Sequence, residues 1–404
     1  MFKPARILQV VFFNLLLVGC ASTQNGPSGH DTAQAAAAAA AKPETASNAL
    51  PLSTPEPAPS IQAGRSIPGN SGFLQANGQL TDNIQAYANE VARARGIPLA
   101  HVEALLKQAQ YNATAAKLMT PSKTRIRRSW VTYRKRFVEP VRINAGTTFW
   151  TENKATLDRV ASQYGVPPSI IVAIIGVETV YGRVTGNFKV LDALATLGFR
   201  YPDDSRPERS QLFRDQLADL IQLDYENKLD ASQVEGSFAG AMGLPQFMPG
   251  SLMRYAADGN NDGRIDLLYS TDDAIASVAR FLRLHGWVPG LPVFAPASLP
   301  KNPKALVVGG LYPTLDWSQL QDQGARFRTA AGNSNTAYAQ NSSWTQHKLG
   351  IVDLLDEPRN LAEYRVGTPN FFAITHYNRS YFYASSVADL AQALADRVGY
   401  GGPN

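Results

Sequence analysis

Apolar positions recur at helical spacing along most of the chain beyond residue 80, and one stretch breaks that pattern by being apolar on every face. Residues 170–177 are eight consecutive non-polar residues that run into a single carboxylate, Glu178. Pro167, Pro168 and Ser169 supply helix-start chemistry and Gly182 a stop, so the stretch predicts a short, largely buried helix ending at the acid. Ile84, Tyr87 and Val91, then Val102, Leu105 and Leu106, predict two helices joined at Gly96-Ile97-Pro98. Further helices are predicted over 147–164, 189–199, 211–228, from Asp273 to Leu284, and over 386–398. Turn residues dominate 289–341 around a short strand at Leu306-Val307-Val308. Residues 363–366 and 371–375 read as a hairpin around Gly367-Thr368-Pro369-Asn370.

Two segments leave this periodicity. Residues 125–137 interleave arginines with Trp130, Tyr133 and Phe137, which suits either a saccharide platform or a helix with core aromatics and solvated charges. Residues 236–250 place Gly236, Gly240, Gly243 and Gly250 around Ser237, Gln246 and Phe247. So many glycines imply a backbone that turns tightly and approaches something closely, either in a packed turn or in a ligand groove.

The N-terminus changes the picture. Lys3 and Arg6 precede a short apolar run over 7–18, too short to span a bilayer, so it predicts an export signal. Leu17-Val18-Gly19-Cys20 resembles a bacterial lipobox, which implies cleavage before Cys20 and lipidation of that thiol. Cys20 is the only cysteine among 404 residues, so no disulfide framework is expected. Residues 20–72, rich in Ala, Pro, Ser and Gly, lack the large apolar side chains that offset ordering entropy and are expected to form a disordered tether. Hydrophobic content of 44% and charged content of 18% are those of a globular chain, and a net charge of +5 suits an anionic polymer or surface. The basic residues are scattered outside 123–136, so nucleic acid is not the expected partner.

A carboxyl at the end of an apolar helix has two fates. If it reaches water, it is an ordinary helix end or one half of an ion pair. If it stays among apolar groups, desolvation disfavours its charge and raises its pKa, which makes Glu178 a general acid near neutral pH.

Three ordered motifs then resemble one family. Gly176-Val177-Glu178-Thr179, the run from Gly236 to Pro249, and Tyr377-Asn378-Arg379-Ser380-Tyr381-Phe382-Tyr383 are similar to membrane-bound lytic murein transglycosylase B proteins, over roughly residues 81–395. The resemblance implies an α+β, mainly α fold: a goose-lysozyme-like helical core with a flanking helical domain and a small β-containing domain. It implies cleavage of the bond between N-acetylmuramic acid and N-acetylglucosamine without hydrolysis, with Glu178 as acid and then base and a 1,6-anhydro product. Ser237 and Gln246 would bond the sugar, Tyr377, Asn378 and Tyr383 would form the facing wall, and Tyr133, Phe247 and Phe281 would supply stacking surface. Arg209 would face the substrate's acid groups. Peptidoglycan strands are the implied partner, with other cell-wall enzymes open. The implied location is the periplasm, lipid-anchored at the inner leaflet of the outer membrane. A hydrolytic muramidase and a catalytically silent wall-binding scaffold are the rival readings.

An independent signal is the run from Asp258 to Asp266. Asp258, Asn260 and Asp262 offer oxygen ligands at alternate positions, followed by Gly263, the Arg264 carbonyl and the apolar Ile265, as in an EF-hand loop suited to structural calcium. Tyr269 stands where such a loop carries its closing glutamate. The family closes a longer loop with an aspartate, which implies Asp273 here, with Asp272 as the alternative. The expected organisation is a signal peptide over 1–19, the tether over 20–72, a helical domain over 73–165, a catalytic core over 166–290 with the ion loop at 258–273, and a β-containing part with a returning helix over 291–404.

Overall fold

The structure, a computed structural model, describes residues 53–67, 69–122, 124–328 and 342–401. Cys20 and the signal segment lie outside these residues, as does most of the tether. In chain order the helices and strands are α1 (Asp82–Arg95), α2 (Leu99–Leu106), α3 (Ala113–Met119), α4 (Trp130–Arg134), α5 (Pro140–Glu152), α6 (Lys154–Tyr164) and α7 (Pro168–Thr179). β1 (Phe188–Lys189), α8 (Val190–Phe199), α9 (Pro207–Tyr225), β2 (Glu235–Gly236), α10 (Pro249–Tyr255), α11 (Thr271–Leu284) and α12 (Trp317–Asp322) follow. The chain closes with β3 (Gly350–Asp356), β4 (Leu361–Gly367), α13 (Pro369–Asn378) and α14 (Tyr381–Val398). The fold is mostly helical with small antiparallel sheets.

α7 is the centre of the core that carries Glu178. Pro168 at its first turn lacks the N–H that a helix start leaves unused, and its φ is already helical. Gly165, left-handed at φ 66°, ends α6 and lets the chain turn through 114° into α7. Every side chain of α7 except Glu178 is buried, because α5, α6, α11 and α14 cover it on all sides. Ile170, Ile171, Val172, Ile174 and Ile175 are fully buried, and each contributes about 1.5–3 kcal/mol relative to exposure.

The described residues form three hydrophobic cores. The first joins α4 to α7, α11, α13 and α14. The second packs α1, α2 and α3 onto α8, α9 and the turn around Met242. The third lies beneath β3 and β4, with Trp317 and Trp344 at its centre. Residues 73–165, expected as one unit, therefore divide: α1–α3 serve the second core and α4–α6 the first. The tether is shorter than expected as well. Ile61 is fully buried in the second core, its N–H donates to Asp215, and the Ala63 N–H donates to Glu90.

Other expectations need correction. The helix expected over 147–164 is two, broken at Asn153, whose amide turns back onto the Phe149 carbonyl. No strand forms at 306–308: Pro303–Leu306 is a 3₁₀ turn instead. β4 pairs backwards with β3, Gly350 opposite Gly367 and Asp356 opposite Leu361, and not forwards with 371–375. Those residues lie in α13, where Thr368 caps the first turn and Pro369 occupies the position a helix start tolerates. Arg365 of β4 fastens the hairpin to α14 through Asp389, which also binds Arg134 of α4.

Candidate active site

Glu178 is the only residue of α7 that is not buried. It is partly exposed, yet surrounded closely enough that burial raises its pKa to about 7, against a smaller lowering by a hydrogen bond from Tyr383. That bond runs from the Tyr383 hydroxyl to Oε1 at 2.6 Å. Tyr383 lies in the first turn of α14, whose Ser380 cap accepts the Tyr383 N–H. Tyr377, near the end of α13, stacks parallel to Tyr383 with ring centres 6.2 Å apart. Its hydroxyl donates to the Pro245 carbonyl, joining α13 to the glycine-rich turn. Tyr133 on α4 completes the group, packed on Phe137 and Phe382. Burial and the Glu178 charge raise the pKa of all three phenols, so they keep their protons and act as donors.

The chain leaves α7 under strain. Gly182 was expected to stop the helix, but the stop comes earlier, at Val180. Val180 and Tyr181 adopt φ of 51° and 59°, a region that costs a side-chain-bearing residue on the order of 1–3 kcal/mol. The buried isoleucines of α7 offset that cost. Tyr181 folds back under the acid, its ring on Phe149. Its hydroxyl, buried without a partner, sits where a Cβ on Gly146 or Gly176 would come within 2.2 or 2.3 Å. Only glycine fits at either place. Beside it the buried Arg142 donates from Nε to the Gly176 carbonyl, one helical turn before Val180.

The glycine-rich turn is fixed to the same helix end. Thr179 donates its hydroxyl to the Leu244 carbonyl and accepts the Gly182 N–H. Gly243, at φ 67°, passes so near the Leu267 carbonyl that a Cβ would lie 2.0 Å from it. Gln246, also left-handed at φ 50°, donates from Nε2 to the carbonyls of Thr185 and Gly243.

The other expected site residues fall into place as follows. Ser237 is 1% exposed, and its Oγ accepts the Ala239 and Ala241 N–H groups. Phe247 and Phe281 are 2% and 6% exposed. They back Tyr377 from within the first core instead of offering open faces to a sugar. Asn378 ends α13 beside Tyr377. Arg209 is placed apart from this group, buried at the start of α9 beside Tyr201. Tyr181, Arg142 and Thr179 are the residues that sequence reasoning did not single out. Thr179 and Tyr181 lay within a quoted motif, but the glycines that accommodate Tyr181 are remote from one another in the chain.

At 258–273 the backbone winds around its own carboxylates. Asp258 accepts the N–H groups of Asp262 and Gly263, and Asn260 Oδ1 accepts that of Asp262. Asp273, buried, accepts the Gly259 N–H at one oxygen and the Asp266 N–H at the other, closing the two ends of the loop. Asp272 turns away to accept the Thr156 hydroxyl. Among the described residues no group of three or more His, Cys, Asp or Glu side chains could hold a metal ion. The loop's oxygen set is mixed, with the Asn260 amide and the Arg264 carbonyl beside its aspartates.

A mainly helical protein that holds a carboxyl raised to about 7 against a row of phenols gives that carboxyl the means to exchange a proton near neutral pH. Residues 79–392 match the family described as Transglycosylase SLT domain. The chain is 35% identical to the membrane-bound lytic murein transglycosylase B of Escherichia coli (strain K12) over 335 residues, which are 80% of this chain and 86% of that protein. The E. coli lytic transglycosylase Slt35, solved in complex with calcium, shares 35% identity at a TM-score of 0.64, over 78% of this chain and 93% of that one. SltB3 of Pseudomonas aeruginosa, solved in complex with NAG-anhNAM-pentapeptide, shares 26% identity at a TM-score of 0.64, over 77% of this chain and 78% of that one. The chain belongs to the SLT-domain lytic transglycosylase family and is an enzyme of peptidoglycan cleavage. The resemblance carried by the three sequence motifs and the mainly helical fold it implied both hold.

Proposed function

We propose that Glu178 is both acid and base of this cleavage. Tyr383 engages Oε1, so the proton rests on Oε2 and is delivered in a fixed direction to the oxygen between N-acetylmuramic acid and N-acetylglucosamine. The carboxylate left behind takes the proton of the muramyl 6-hydroxyl as that oxygen closes onto C1, and the product carries a 1,6-anhydro end. The observation that carries this reading is a carboxyl poised at about 7, where one group can serve as donor and acceptor in turn. A hydrolytic muramidase would need a second carboxylate to hold water or attack C1. Among the described residues the influences on Glu178 are burial and Tyr383, with no second acid among them. Asp192, the nearest later acid in sequence, accepts the Gln110 N–H at the second core. Tyr133, Tyr377, Asn378 and Tyr383 form the wall facing the sugar, and the turn carrying Ser237 and Gln246 borders the other side. Arg209 is not part of this group.

The test is mass analysis of products from purified sacculi. Wild type should release fragments one water lighter than hydrolysis products, and Glu178→Gln should release none. Hydrated ends would move the assignment to the muramidase, and no release by wild type would favour the silent scaffold.

Calcium and anchoring complete the proposal. Asp258, Asn260, Asp262, the Arg264 carbonyl and Asp273 would hold calcium once the carboxylate oxygens that accept backbone N–H groups turn inward and gather on the ion, which hard oxygen donors suit. The ion would supply structural cross-linking between the segment after the Gln246 turn and α11. An N-terminal lipid on Cys20 would hold the enzyme at the periplasmic face of the outer membrane, in keeping with a membrane-bound relative. No single helix among the described residues is long and apolar enough to cross a membrane.

A further inference from the structure

The phenols around Glu178 do not end the aromatic surface. From Tyr377 ring contacts run outward through Phe281 at 4.9 Å, His285 at 3.9 Å, His376 at 5.1 Å and Tyr312 at 5.3 Å. Tyr255 flanks His285 at 4.8 Å. Exposure rises along this path from 6% at Phe281 to 69% at Tyr312. A core needs no such exposed terminus, and an ordered aromatic ring left in water offers a face to a ligand. The Tyr312 segment is held in place: the Tyr381 hydroxyl donates to the Gly310 carbonyl at 2.9 Å, tying it to the helix that carries Tyr383.

The chemistry of the rim narrows the ligand. Burial lowers the pKa of both histidines, that of His376 to about 4, so their rings are neutral at the pH of the site. Neutral rings and phenols suit the C–H faces of sugars better than they suit an ion. Two cations border the rings: Arg254 lies 5.6 Å over Tyr255, and Arg379 follows closely enough after His376 to bear on its titration. Arg254 is shared with Asp219 at 3.9 Å, whereas Arg379 is exposed. Rings for stacking with cations beside them fit an amino-sugar strand that carries carboxylates.

We propose that Tyr312 and His376, with Tyr255 and His285 behind them, form an accessory saccharide subsite that grips the same carboxylate-bearing strand some distance from the bond being cut. This rests on the reading of Glu178 as the acid. The subsite sets a preference for long strands over short fragments.

Full-length Glu178→Gln protein, titrated with purified glycan strands and with a tetrasaccharide fragment, separates the two ideas. If strands are still cut during the titration, the Glu178 reading fails, whatever the affinities. If they are not, adding Tyr312→Ala should weaken strand binding about fivefold, the scale of one lost aromatic contact, and leave tetrasaccharide binding within error. His376→Ala should act in the same direction. Arg379→Ala should erase any preference for peptide-bearing over peptide-free strands. Unchanged strand affinity in Tyr312→Ala, or an equal loss for the tetrasaccharide, would overturn the subsite. Because the Tyr312 ring is exposed, its removal should leave the melting temperature unchanged, so a binding loss reports contact and not unfolding.

Discussion

The hydroxyl of Tyr383 donates to Oε1 of Glu178 at 2.6 Å across 205 residues of chain. Two opposed effects meet in that contact. Burial removes water from the carboxyl and raises its pKa, and the phenol partly restores the charged form by donating to it. Burial is the larger effect, so the acid rests at about 7 and neither proton state is dominant near neutrality.

Replacing Tyr383 by Phe removes the donor that favours the carboxylate. The pKa of Glu178 should then rise further, so the basic limb of the pH–rate profile moves to higher pH. The carboxyl also loses its fixed rotation, and kcat should fall at the optimum by about 10–100-fold. A profile whose basic limb stays in place would separate that limb from Glu178.

Glu178→Gln should make the protein more stable while ending its activity. An acid with a folded pKa above its unfolded value destabilises the fold where it must ionise. That cost is absent below the ordinary value of 4.5, grows as pH rises, and is complete above about 7. By linkage a displacement of this size is on the order of 3 kcal/mol. Denaturant unfolding at pH 8 should show the variant ahead by up to that amount, and at pH 4 the two should coincide. A variant no more stable at pH 8 would mean that the carboxyl is better solvated than its surroundings suggest.

Gly176→Ala puts a methyl against the Tyr181 hydroxyl and should cost about 1–3 kcal/mol by overpacking. It should also lower kcat more than it raises KM, because the displaced backbone carries the acid two residues later. Tyr181→Phe removes only a buried hydroxyl without a partner, so stability should hold or improve. Thermal melts and steady-state kinetics on both variants test the pair, and a Phe variant as damaged as the Ala one would show that the hydroxyl has a role of its own.

A chelator should lower the melting temperature, and added calcium should restore it. Asp273→Asn should remove that response, since Asp273 joins both ends of the loop. Asp272→Asn should keep the response, since its carboxylate serves Thr156 on α6. Calcorimetric melts of the three proteins decide between the two closing ligands.

Much of this arrangement could be read from local pattern. The unbroken apolar run before Glu178 announced a buried helix with an acid at its end, because no surface helix tolerates eight such residues on all faces. Long-range placement was less legible. Phe371-Phe372-Ala373-Ile374 is an apolar run that periodicity alone cannot assign, and the helix is chosen by Thr368 and Pro369 at its start. Ile61 stands alone in a polar stretch, and the groups that hold its neighbourhood, Asp215 and Glu90, lie far along the chain. Phe247 and Phe281 were expected as stacking surface by the resemblance alone, and the packing of the first core buries both. Arg209 was placed by likeness alone, and the start of α9 carries it to Tyr201.

The fastening of Glu178 to α14 also bears on when the enzyme can act. The acid is synthesised before the midpoint of the polypeptide, but Tyr377 and Tyr383 arrive only with its last turns, and the hairpin that seats α14 comes just ahead of them. A chain still being synthesised therefore carries Glu178 without the phenols that face it, and the Glu178–Tyr383 contact forms only once the C-terminal helices have been made.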